Sequence, residues 1–132
     1  MRIRRVLRNE EGSGAVDFVL VGSLLTALTL AVLQLGLAVY VRNIVHDAAV
    51  EGAHHAALAD TALAEGAART VLTISRAVGA QYAEEVTVRE STALGYPTVE
   101  VRVRTTLPLV GLLGVPGGME VSAHAPQESF DR

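Results

Sequence analysis

Between residues 18 and 41 no side chain carries a charge, and widening the window to residue 15 adds only Asp17. At a rise of about 1.5 Å per residue this run makes a helix of roughly 36 Å, longer than the hydrocarbon core of a bilayer at about 30 Å. One membrane crossing over about residues 15 to 41 is the default expectation. A cleaved signal peptide fits less well, because its apolar core is usually about 7 to 15 residues and ends at a small-x-small site. Here the run leads into Val39, Tyr40, Val41 and Arg42 instead. A buried helix of a water-soluble protein fits less well still, since a remainder of about 90 residues offers too little surface to wrap such a rod on all sides.

After Val41 the pattern turns amphipathic. Ile44, Val45, Ala48, Ala49, Gly52, Ala53 and Ala56 form a narrow stripe of small and apolar residues, with Arg42, Asp47, Glu51 and His55 around it. This predicts that the helix continues as a stem to about residue 59, where Ala59, Asp60 and Thr61 break it and Asp60 or Thr61 caps the next helix. That second helix is expected over residues 62 to 78, with Leu63, Ala67, Val71, Ile74 and Val78 on one face and Gly79 as its stop. The period then falls to two. Val86 and Val88, then Val99, Val101 and Val103, then Met119, Val121 and Ala123 alternate with polar neighbours, predicting three antiparallel strands. Gly95-Tyr96-Pro97 and Pro116-Gly117-Gly118 supply the breaks before the second and third strands. The expected architecture is α+β: a basic leader at 1–12, a transmembrane helix and stem at 13–59, a small head at 60–125, and a loose tail at 126–132.

Composition narrows the function. The 132 residues fit one compact domain beside the span. The absence of Cys excludes a disulfide framework, a thiolate nucleophile and a thiolate metal site. A net charge of −3 gives no footing for nucleic acid. That charge is unevenly spread. Arg2, Arg4, Arg5 and Arg8 precede the apolar run, and only Arg42 directly follows it. The bias puts the amino end in the cytoplasm and the head outside.

The junction reads Glu11, Gly12, Ser13, Gly14, Ala15, Val16, Asp17, Phe18. Gly12 places no side chain in the way of a peptidase cleft and lets the Gly12-Ser13 bond extend. The arginines hold that bond against anionic headgroups. Asp17 lies in the first turn of a helix beginning at Ser13, where the macrodipole favours an acid. Two readings of these residues stay open: a processing and assembly site, or a flexible joint followed by an acid that snorkels to the interface.

Other candidates are weaker. Ser23, Ala27 and Ala31 form a small-residue stripe open to close helix approach. Gln34 either hydrogen-bonds across a helix pair or marks the outer end of the span. Asp47, Glu51, His54 and His55 include metal-ligand spacings, but a carboxylate-rich site draws ligands from several helices, so solvated charges on an amphipathic face are expected and no metal or cofactor is assigned. The connection from 107 to 115 is unusually apolar, and either folds into the head, leans on the outer leaflet, or offers a patch to a neighbouring subunit. No phosphate loop, nucleophile elbow or zinc signature is present.

The Arg-rich start, the Glu-Gly-Ser-Gly-Ala-Val-Asp-Phe junction, Gln34-Leu35-Gly36, and Arg42-Asn43 with the small-residue run through Glu51-Gly52-Ala53 resemble the TadE-like family of minor pilins or pseudopilins. So do Leu107-Pro108-Leu109, Gly114-Val115-Pro116 and the close at His124-Ala125-Pro126. The resemblance implies a structural or assembly component of a tight-adherence type IV pilus or related secretion apparatus, without catalysis of its own. A prepilin peptidase would cut between Gly12 and Ser13, with Asp17 in the acid slot and Phe18 as the following aromatic. Partners implied are that peptidase, other pilin subunits, TadE- and TadF-like proteins, and the lipid bilayer. Asp17 departs from the usual Glu by one methylene. The alternative is an unprocessed single-pass anchor whose outer head binds a partner.

Overall fold

A computed structural model describes residues 10–110 and 113–129. Helix α1 runs unbroken over Glu10–Ala57, followed by α2 at Leu63–Ala77, a single 3-10 turn at Ala80–Tyr82, and strands β1 Glu85–Ser91, β2 Thr98–Val110 and β3 Leu113–Pro126. The strands form one antiparallel sheet in the order β1-β2-β3. The α+β expectation holds.

Two surroundings divide α1. Residues 12 to 33 are exposed on every side, including Phe18, Leu24 and Leu33. From Gln34 and Ala38, both half-buried, one stripe passes through Val41, Val45, Ala48, Gly52 and Ala56, all buried. Steps of three and four keep these residues on one helix face. The sheet lays its inner side on that stripe through Val99, Val101, Val103, Val121, Ala123 and Ala125, with Val86 and Val88 packed at the margin. Alternation sends Thr87, Arg89, Glu100, Arg102, Arg104, Glu120 and His124 to the other side.

Helix α2 crosses α1 where both backbones are bare. A Cβ built on Gly52 would stand 2.8 Å from the Gly66 carbonyl oxygen and overlap the Thr70 side chain, and one on Gly66 would overlap Ala56. This approach brings Gly66, Thr70 and Ile74 into the core. The buried face thus begins one residue earlier than the sequence suggests: Ile74 is buried as expected, but Val71 is exposed and Ala67 only half-buried. Contact between small residues decided the face, and periodicity of large ones did not reveal it. The expected Asp60 or Thr61 cap is also replaced. Ala62 is the N-cap, its carbonyl accepts the Glu65 N–H at 3.0 Å, and no side chain caps the helix.

The segment from 107 to 115 is not a loose connection. Leu107 pairs with Val115, Pro108 with Gly114, and Val110 with Leu113, which extends β2 and β3 into a long hairpin. Pro116-Gly117-Gly118 consequently lies inside β3. These three residues stand opposite Thr106 alone, between the Thr105-Met119 and Leu107-Val115 pairs, so the breaker is absorbed as a bulge. Beside it, the fully buried Thr105 hydroxyl has no hydrogen-bond partner among the described residues.

Two substitutions test this packing by urea unfolding of the full chain in detergent. Gly52→Val should separate α1 from α2 and destabilise the head by about 1 to 3 kcal/mol, the usual range for overpacking. Thr105→Val removes the orphaned hydroxyl at nearly constant shape and should be neutral or stabilising. A lowered midpoint for Thr105→Val would mean that the hydroxyl has a partner.

Candidate functional site

The candidate processing and assembly residues sit at the start of α1. Gly12, Ser13, Asp17 and Phe18 are all helical and exposed, and Phe18 is 80% accessible. Ser13 and Asp17 are four residues apart, so they share one face. α1 is described from Glu10 onward, so the Gly12-Ser13 bond lies within helix and not in an extended segment. No tertiary contact holds that turn: space around a Cβ at Gly12 or Gly14 is empty to 4 Å. Each glycine also weakens a helix by about 1 kcal/mol relative to Ala, which favours local unwinding here. Arg2, Arg4, Arg5 and Arg8, expected to set orientation, lie outside the described residues.

Along the exposed rod the hydroxyls turn inward on their own helix. Ser23 Oγ donates to the Leu20 carbonyl at 2.9 Å, Thr26 Oγ1 to Gly22 at 2.8 Å, and Thr29 Oγ1 to Leu25 at 2.8 Å. Side chains satisfied in this way sit in hydrocarbon without an orphaned donor. The exposed rod from 12 to 33 spans about 33 Å at helical rise and the charge-free run from 18 to 41 about 36 Å, so a single crossing of about 30 Å fits within this part of the helix. By length and composition it suggests a single-pass membrane anchor.

Gln34 closes the rod. Its Nε2 donates to the Pro108 carbonyl at 2.7 Å, joining the helix to the hairpin across 74 residues of sequence. Both partners are oddities along the sequence, an amide in an apolar helix and an apolar connection, and no local pattern pairs them. Nearby, where the stem meets α2 and the 3-10 turn, Leu37, Tyr40, Val41, Val78, Gln81 and Tyr82 line an open apolar cavity of about 370 Å³.

The acids and histidines of the stem are spread among separate partners. Glu51 takes Arg69 at 2.7 Å and Thr73 Oγ1 at 3.1 Å, fastening α2 to α1. Those hydrogen bonds, that of Arg69 first, hold its carboxyl below the ordinary range. His55 faces Glu65 at 3.8 Å, and His54 Nδ1 lies 2.9 Å from the Val50 carbonyl oxygen. No group of three potential metal ligands occurs among the described residues.

The outer sheet face carries a charge ladder. Glu100, with only 5% of its side chain exposed, receives Arg89 at 2.6 and 2.7 Å and Arg102 at 2.9 Å, with His124 at 4.0 Å. Glu120 continues the ladder to Arg104 at 3.3 Å and Arg102 at 3.6 Å. Burial alone pushes the Glu100 carboxyl up, and the hydrogen bonds and charges of Arg89 and Arg102 outweigh it, leaving the group below the ordinary range. These charges satisfy one another, so the face is a strand clamp. A folded-state pKa below the unfolded one stabilises the head fully above the unfolded value and loses that contribution as pH falls through the folded one. Urea midpoints should therefore hold from neutrality to about pH 4 and drop below it. Glu100→Gln should lower the neutral midpoint and flatten the acid slope. An unaltered slope would place the acid-labile group elsewhere. Glu51 acts in the same direction but more weakly, being well exposed.

Residues 12–54 match the family model described as TadE-like protein. No curated protein and no solved structure gives a match. The matched stretch covers the exposed rod, Gln34 and most of the buried stripe that carries the head, so the likeness to TadE-like protein lies in this stem.

Proposed function

We propose that the chain is a minor pilin or pseudopilin, a structural or assembly component of a tight-adherence type IV pilus or related secretion machine. It is a substrate of a prepilin peptidase and performs no chemistry of its own. The observation that carries this reading is the rod from 12 to 33, lipid-length, uncovered on every side and continuous with a folded head, within the TadE-like match. The arginines before the rod outnumber the single Arg42 just beyond it, which favours a cytoplasmic amino end and an extracytoplasmic head.

In this reading the helix around Gly12 unwinds in the peptidase and the bond after Gly12 is cut. Ser13 then carries a new ammonium at a helix start, one turn from Asp17. The carboxylate of Asp17 neutralises it, on the same helix or on the next subunit, where the pair would fix axial register. The uncovered rod exchanges lipid for the rods of other pilin subunits and TadE- or TadF-like partners, with Phe18 filling space between them.

A second reading draws on the helical, not extended, backbone around the Gly12-Ser13 bond: an unprocessed anchor whose head binds a partner. Mass separates the two. Expressed with its cognate prepilin peptidase, the chain should lose residues 1 to 12, Gly12→Leu should keep them, and Asp17→Asn should be cut but enter pili poorly. An unchanged mass beside an active peptidase would favour the plain anchor.

A further inference from the structure

We infer that the β2-β3 hairpin enters the outer leaflet of the membrane beside the rod, giving the head a second, wedge-like contact with lipid. The inference rests on the reading of α1 as a membrane span. Two hydrogen bonds set the geometry. Glu128 N–H donates to the Ala57 carbonyl at 2.9 Å and ties the end of β3 to the end of α1, while Gln34 ties Pro108 to the helix at 2.7 Å. The sheet therefore runs alongside the helix from Ala57 down to Gln34. The lengths agree: that stretch of helix covers about 34 Å and β2 from Thr98 to Pro108 about 33 Å.

Depth follows from the anchor. A hydrocarbon core of about 30 Å takes about 20 helical residues, which beginning after Asp17 are residues 18 to 37. Gln34 then lies roughly 4 Å inside the outer boundary. β2 continues past Pro108 to Val110, about 7 Å further along the rod. From Thr105 to Gly118 the chain carries no charge. Leu109 and Val115, each 46% exposed, offer apolar surface there.

At Pro108 the hairpin's polar groups are accounted for without water. Below Arg104, β2 has no β1 residue paired beside it. An open strand edge in hydrocarbon leaves costly orphaned groups. Here Pro108 removes one donor by having no N–H, and its carbonyl is taken by Gln34. This spares the buried Pro108 an orphaned group, and the exposed apolar surface of Leu109 and Val115 beside it is what lipid would cover.

The chain has no Trp, so a single introduced Trp reports its own surroundings. Three full-length variants in phosphatidylcholine vesicles form the test: Leu25→Trp in the rod, Leu109→Trp in the hairpin, and Thr87→Trp on the outer sheet face. With acyl-brominated lipid, Leu109→Trp should lose intensity to an extent comparable with Leu25→Trp, most strongly for bromines near the headgroup end, while Thr87→Trp keeps its intensity. Leu109→Trp as bright as Thr87→Trp, with Leu25→Trp quenched, overturns the inference alone. Leu109→Trp shielded from aqueous iodide yet untouched by bromine also overturns it, because protein then covers the hairpin. An unquenched Leu25→Trp overturns the anchor itself.

Discussion

A single unbroken helix has to satisfy two solvents, and everything else in the molecule is fitted around the point where it passes from one to the other. From residue 12 to Leu33 every side of α1 is exposed, and Asp17 carries its one charge. From Gln34 onward one narrow stripe is buried, and its residues shrink from Val41 and Val45 to Ala48, Gly52 and Ala56. That taper governs what can pack there. Valines of the sheet seat against the lower stripe, and the bare backbone at Gly52 admits the equally bare Gly66 of α2. The head thus has no core independent of the stem, because α1 supplies much of its buried surface.

Much of this architecture is legible along the chain. The charge-free run, the amphipathic continuation and the three alternating valine segments each carry a period that burial imposes directly. Less legible were contacts set by what residues lack. The Gly52-Gly66 approach left no apolar signal, so the buried face of α2 was placed on Ala67 and Val71 instead of Gly66 and Thr70. Pro116-Gly117-Gly118 reads as a stop, yet pairing on both sides of it is strong enough to swallow three residues in a bulge. Of the candidate site, Gly12, Ser13, Asp17 and Phe18 lie together on the exposed start of α1, as a helix requires, whereas no local pattern marks Gln34 as the partner of Pro108.

The charged groups divide by task. Those on the outer sheet face and between the helices are matched within the head, Glu100 by Arg89 and Arg102 and Glu51 by Arg69. Asp17 alone stands on the apolar rod, far along the helix from all of them. The rod therefore offers one charge near its beginning, set apart from the electrostatics of the folded end.

The inward-turned hydroxyls of Ser23, Thr26 and Thr29 have a mechanical consequence. With no side-chain donor seeking company, the rod presents an indifferent coat, at home among fatty chains or among its own kind. Sliding, rotating or being lifted from one medium into the other breaks no specific bond along that stretch, so withdrawal meets resistance only at its two ends.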